Sequence, residues 1–200
     1  MVQDALKHLL PKKSPEIDHI RQGMLQSLQK LLAPLLLYLF KFCWRLSYMP
    51  LDWHVAQVVP TYKKGASSDT GNYRPISLTS VFRKLLKRYL YPLASSQNPP
   101  LDLAQGGFRE APSFLDQTLC LAEIYNILCR YHRTTPILTF LDINSAYDTV
   151  NHLKIWEAMQ TTAELPLLAS LQNLFGNVHI EVLLQNEVSR RFQSVTGVLQ

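Results

Sequence analysis

Between residues 136 and 152 the chain reads PILTFLDINSAYDTVNH, and no other run constrains the possible fold as strongly. Residues 136–141 carry no charge and have the composition of a fully buried strand, which delivers Asp142 at its end. A second carboxylate, Asp148, follows the small pair Ser145-Ala146 and the aromatic Tyr147. A carboxylate removed from water is costly unless it is paired, caps a helix or binds a metal. Asp at a strand-to-helix junction is often an N-cap. A strand ending on a carboxylate beside a turn also suits an enzyme that holds magnesium for phosphoryl transfer. Both readings of Asp142 stand on this run alone. Asp148 is expected chiefly to cap a helix starting near residue 150.

The remaining composition narrows the class. With 47% hydrophobic residues in 200, the chain can bury a real core, so one or two folded domains are expected rather than disorder. A formal net charge of +5 favours a polyanionic partner moderately. Cys43, Cys120 and Cys129 are odd in number and lack CxxC spacing, which fits reduced thiols in an intracellular protein. The six histidines show no zinc-type pairing. No secretory leader pattern opens the chain. The most apolar stretch, residues 31–40, is half the ~20 residues that a membrane span needs and is expected to be a buried helix.

Residues 1–50 read as helical, with apolar positions at helical spacing from 18 to 44 and a bend expected at Pro34. The period then changes. Residues 55–62, VAQVVPTY, form one strand, the polar loop KKGASSDTGN follows, and YRPISL returns as the second strand of a hairpin. Thr79 or Ser80 can cap a helix running to about residue 93. A proline-rich connector leads to a helix over 115–131, a strand over 137–143, helices over 150–159 and 167–175, and a hairpin around Asn186. Helices and strands without regular βαβ spacing predict an α+β fold.

Two groups of cations stand out. The hairpin brings Lys63, Lys64 and Arg74 to one end, where they can grip a triphosphate or be a solvated turn. Arg83, Lys84, Lys87 and Arg88 fall on one helical face at a spacing that can follow a phosphate backbone, or simply face solvent. Trp53, Trp156 and Tyr38 are expected in the core rather than as base-stacking platforms.

VVPTYKKG, GNYRPISLTSVFRKLL, QGGFRE, FLDINSAYDTVNH and TGVLQ follow one another in the order seen in reverse transcriptases. The chain resembles those of non-LTR (LINE-type) retrotransposons over nearly its whole length. The start, ALKHLLPKKSPEIDHI, is similar to the segment those enzymes carry before their fingers, and MPLDWHVAQVVP to their entry into the fingers.

The resemblance implies a right-hand polymerase: a helical extension over 1–50, fingers over 51–135 and a partial palm over 136–200. It implies that Asp142 is the first metal-binding aspartate, with the Ile143 carbonyl as a second oxygen ligand for Mg2+. Ser145 and Ala146 match the small residues whose backbone meets the incoming triphosphate. Tyr147 matches the aromatic gate beneath the sugar, which rejects a 2′-hydroxyl. Lys64 and Arg74 match the fingers residues that hold the triphosphate. Gln200, in the motif that Gly197 begins, matches the glutamine that touches nucleotide and template. Arg109 matches a structural or template-facing arginine. The implied partners are an RNA template, a DNA primer and a dNTP, with no membrane. The implied reaction is two-metal nucleotidyl transfer, in which a primer 3′-hydroxyl attacks the α-phosphate.

The chain departs from the family in places. Glu16 stands where glycine is usual, Ala111-Pro112-Ser113-Phe114 replaces a Gly-Arg-Ser-Thr-like stretch, and Asn144-Ser145 replaces Ser-Lys or Lys-Gly. The 200 residues stop one short of completing GVLQG and contain no aromatic-Ala-Asp-Asp turn, the rest of the palm or a thumb. The expectation is a polymerase fragment without activity of its own. The alternative is a non-catalytic RNA-binding or inert remnant of a retroelement. An in-frame continuation beyond codon 200 to an aromatic-Ala-Asp-Asp turn separates the two. Nuclear access is expected for an active element, although no basic import signal is visible.

Overall fold

A computed structural model describes residues 1–10, 18–102, 104–108 and 114–199. The chain divides into two compact units: Met1–Asn98 with Ser145–Gln200, and Pro99–Asn144. It is a mixed α and β structure with a small mixed sheet.

In the first unit, helices α1 (Val2–Lys7), α2 (Gln22–Ser27) and α3 (Gln29–Leu46) are followed by a 3-10 turn at Leu51–His54. Strands β1 (Val55–Tyr62) and β2 (Tyr73–Thr79) then form the expected antiparallel hairpin, in register from Ala56↔Thr79 to Tyr62↔Tyr73. Helix α4 (Val81–Gln97) comes next. Ser80 is its N-cap: the hydroxyl accepts from the Phe82 N–H at 3.3 Å and donates to Asp18 Oδ2 at 2.9 Å. Phe40, Leu6, Leu85, Leu86, Leu90 and Leu174 are all but sealed from solvent, and together they form the core between α1, α3, α4 and the later helix that carries Leu174.

The helical stretch after Asp18 breaks at Leu28 (φ −98°, ψ 14°), and α3 runs unbroken through Pro34. Pro34 lies early in α3, so its missing N–H forfeits a single bond to the helix's first turn. The expectation of a wholly buried helix at 31–40 is corrected. Leu36 and Phe40 face the core, whereas Leu31, Leu35 and Tyr38 are exposed, so α3 buries one stripe only. Trp53 is in the core as expected, Trp156 is half-buried, and Tyr38 is not in the core.

The same unit resumes with helices α6 (His152–Gln160) and α7 (Leu165–Gly176), the latter with proline in its first turn. Strands β3 (His179–Leu184), β4 (Glu187–Val188) and β5 (Phe192–Gln193) follow. The β3–β4 link is a two-residue turn whose residues, Gln185 and Asn186, have φ +50° and +70°; that conformation matches the twist of a hairpin. β3 runs parallel to β1 from Val55↔His179 to Val58↔Val182, and β5 returns to pair with the start of β3.

Asn151, not Asp148, caps α6: its Oδ1 accepts from the N–H groups of Leu153 (2.9 Å) and Lys154 (3.4 Å). A cap must stand directly before the first helical residue to reach those donors, and Asp148 is too far upstream. Asn151→Ala is expected to lower stability by about 1 kcal/mol, read as a shift in the urea midpoint, with Asp148→Ala leaving helix content unchanged.

The second unit contains α5 (Phe114–Arg130), of which no described residue is buried. The strand expected over 137–143 does not form there. Residues 134–143 have no ladder partner among the described residues, and Phe140 and Leu141 are 79% and 92% exposed. An apolar run becomes a strand only when a neighbour takes up its N–H and C=O groups, and the five strands among the described residues belong to the other unit.

Candidate functional site

The cationic hairpin tip is held by its own side chains. The Lys63 N–H donates to the Asn72 carbonyl at 2.8 Å, continuing the β1–β2 ladder one step into the loop. Asn72 donates to the Ala66 carbonyl, Asp69 accepts from the Gly71 N–H, and the Tyr73 hydroxyl donates to the Ser67 carbonyl. The Tyr62 and Tyr73 rings meet edge to face, 5.5 Å apart, across the base of the loop. Lys63, Lys64 and Arg74 emerge exposed from this ordered tip, with Arg74 opposite Thr61. Pinning the loop lowers the entropy lost when such cations close on an anion.

The α4 cations are arranged differently from the expected open face. Arg83 is 1% exposed and donates to the carbonyls of Trp53 and Leu174, each at 2.8 Å. It sits three and seven residues before Leu86 and Leu90 and so shares their inward stripe. The Phe175 ring covers its guanidinium at 5.6 Å, and burial lowers its pKa to about 10, which leaves it charged at neutral pH. The expectation that Arg83 contacts nucleic acid is therefore corrected: it is an internal strut. Lys87 lies over the same ring at 5.5 Å, and desolvation, then the Arg83 and Lys84 charges, lower its pKa. Arg88 donates to the Ala5 carbonyl at 3.3 Å.

The third element is the turn at 145–149. Ser145 takes a positive φ of 50°, and its carbonyl accepts from the N–H groups of Asp148 (2.9 Å) and Thr149 (3.1 Å). Ala146 and Tyr147 are thereby carried on the exposed rim of the turn. Distant chain is tied to it: the Gly197 N–H donates to the Val150 carbonyl at 2.8 Å, and the Val198 N–H to the Tyr147 carbonyl at 2.7 Å. His152, the first residue of α6, bonds the Gly197 carbonyl through Nε2. A cavity of about 290 Å³ opens beside this junction, lined among others by Ser77, Asp148, His152, Thr196 and Gly197. The sequence drew attention to Gly197 but not to His152, which no metal-type spacing marks.

Asp142 and Ile143 belong to the second unit and are exposed, Ile143 by 74%. Asp142 therefore carries no desolvation cost in this structure that a metal would have to offset. One carboxylate and one carbonyl fall well short of the six oxygens that Mg2+ requires. Among the described residues, no three His, Cys, Asp or Glu side chains gather at a candidate metal site. Among the described residues the donor set is thus incomplete. Arg109, Gln200, Glu16 and residues 111–113 lie outside the described residues. Among the described residues, no helix is long and apolar enough to cross a membrane.

Residues 62–198 match the sequence profile of the reverse transcriptase (RNA-dependent DNA polymerase) family. The chain is similar to the probable RNA-directed DNA polymerase from transposon BS of Drosophila melanogaster, with 25% identity over 193 residues, 94% of this chain and 21% of that protein. Its similarity to the probable RNA-directed DNA polymerase from transposon X-element of the same fly is 25% over 194 residues, again 94% of this chain and 21% of the relative. To the retrovirus-related Pol polyprotein from type-1 retrotransposable element R2 of Popillia japonica it is 30% identical over 115 residues, 56% of this chain and 16% of that protein. The chain thus spans about a fifth of the length of the first two relatives.

Proposed function

Because the chain belongs to the reverse transcriptase (RNA-dependent DNA polymerase) family, in its non-LTR retrotransposon branch, we propose that it forms the nucleotide-holding portion of such a polymerase. In this reading residues 51–135 are fingers and 136–200 the start of the palm, behind a helical extension over 1–50. Lys64 and Arg74 grip the triphosphate, the backbone at Ser145 and Ala146 approaches it, and Tyr147 underlies the sugar. Asp142 and the Ile143 carbonyl contribute to a magnesium site that needs further acids, Gln200 touches nucleotide and template, and Arg109 is structural or template-facing. Template and primer phosphates are met by Lys84, Lys87 and Arg88 on α4, without Arg83.

The observation that carries the reading is the junction of the Tyr147 turn with Gly197–Val198. Two motifs that the family's nucleotide pocket uses together, far apart in sequence, are hydrogen-bonded within one unit. The pinned cationic tip in that same unit adds an anion grip.

The 200-residue chain is expected to bind dCTP with Mg2+ in a calorimetric titration. Arg74→Ala should weaken binding at least about tenfold, the worth of one charge-assisted hydrogen-bond pair. On a primed RNA template the chain alone should extend no primer, because its sequence contains no pair of adjacent acids to complete the metal site. Failure to bind any nucleoside triphosphate would overturn the proposed pocket. Extension abolished by Asp142→Asn would overturn the incompleteness.

A further inference from the structure

Three polar backbone groups at the Gly197–Val198 step are engaged by the segment 147–152. The Gly197 N–H goes to Val150, the Val198 N–H to Tyr147, and the Gly197 carbonyl to His152. The first two bonds join backbone to backbone and do not depend on the His152 side chain. The third depends on one side chain. A carbonyl only accepts, so His152 must carry its proton on Nε2 to make this bond. His152 is half-buried at the first position of α6, and the Asn151 cap fixes where that helix begins. The ring is thus held at its base by a rigid element, while its tip holds the chain leading to Gln200.

We propose that His152 is a positioning residue of the nucleotide pocket. It holds the Gly197–Val198 step at a fixed height against the turn that carries Tyr147, and so sets how closely Tyr147 approaches the sugar. This rests on the reading of Tyr147 as the sugar gate. A gate discriminates by distance: a shift of a few tenths of an ångström in its turn relieves the clash that excludes a 2′-hydroxyl. The effect belongs on selectivity rather than on triphosphate affinity, because the Lys64 and Arg74 grip lies on the separate β1–β2 hairpin.

The test is calorimetric titration of the 200-residue chain with dCTP and with CTP, which differ only at the 2′ position, alongside thermal melts. His152→Phe keeps a ring but removes the donor. It should lower the dCTP-over-CTP preference about tenfold, the worth of one hydrogen bond to a half-buried carbonyl, with dCTP affinity changed far less. His152→Gln can still donate from Nε2 and should recover most of the preference. If His152→Phe does not fold, His152→Ala carries the same comparison. Tyr147→Ala tests the parent reading independently. If Tyr147→Ala abolishes the preference and the His152 variants do not, the gate stands and the positioning role falls. If the wild-type chain shows no preference, or Tyr147→Ala leaves it intact, the gate reading falls and takes the positioning role with it. A loss of preference in His152→Gln equal to that in His152→Phe would also overturn the role, since a restored donor would then not restore the preference.

Discussion

Arg83→Ala is expected to destabilise the first unit by about 3–5 kcal/mol, as much as losing a large core side chain. Two hydrogen bonds from a charged donor disappear, and the carbonyls of Trp53 and Leu174 are left buried without a partner. Those carbonyls occupy telling places. Trp53 lies in the 3-10 turn that feeds β1, and Leu174 in the last turn of α7, where helical carbonyls have no intrahelical donor. β1 and β3 begin side by side at Val55↔His179, just downstream of both. Arg83 thus ties together the entries to the two central parallel strands and complements the negative end of α7. Removing the stem also opens a void against Phe175. Arg83→Met keeps the stem and relieves the guanidinium's desolvation, so it should cost about half as much. Urea midpoints measure both, and an alanine variant within 1 kcal/mol of wild type would refute the strut.

This residue also shows where sequence reading reaches its limit. The β1–β2 hairpin was legible because its β-branched strands flank a polar, glycine-bearing loop. Ser80 was legible because a hydroxyl stood directly before an apolar helical stripe, and the β3–β4 turn was legible from Asn186. Each of these signals is local. Arg83 looked like one of four surface cations because charge argues for solvent. Yet its spacing to Leu86 and Leu90 placed it in the inward stripe, and periodicity outweighs charge when carbonyls await the guanidinium. The parallel β1–β3 pairing joins residues too distant for any local signal. Residues 137–143 failed in the opposite sense: their composition is that of a strand, but no described strand pairs with them. Of the candidate site, the hairpin cations were readable as a cluster. The His152–Gly197 contact was not, since one histidine at the start of a helix carries no pattern of its own.

Gly197→Ala should disrupt the Tyr147 junction more severely than any His152 variant. Gly197 has φ +84°, a backbone region that costs alanine roughly 1–2 kcal/mol. A Cβ there would lie 2.9 Å from the Asp148 carbonyl oxygen, 3.0 Å from the Asp148 Cα and 3.0 Å from the Tyr147 carbonyl oxygen. All three are backbone atoms of the turn itself, so no side chain can swing away. The two segments must separate, and the bonds from Gly197 to Val150 and from Val198 to Tyr147 stretch with them. Conformational strain and weakened bonds together should cost roughly 2–4 kcal/mol. Where His152→Phe lowers the dCTP-over-CTP preference, Gly197→Ala should abolish it. Gly176→Ala is the control: a Cβ there meets nothing within 4 Å, and at the end of a helix it should be neutral or slightly stabilising. Urea unfolding and the paired nucleotide titration read both consequences. If Gly197→Ala melts like Gly176→Ala and keeps its sugar preference, the close approach of the two motifs is not what shapes the pocket.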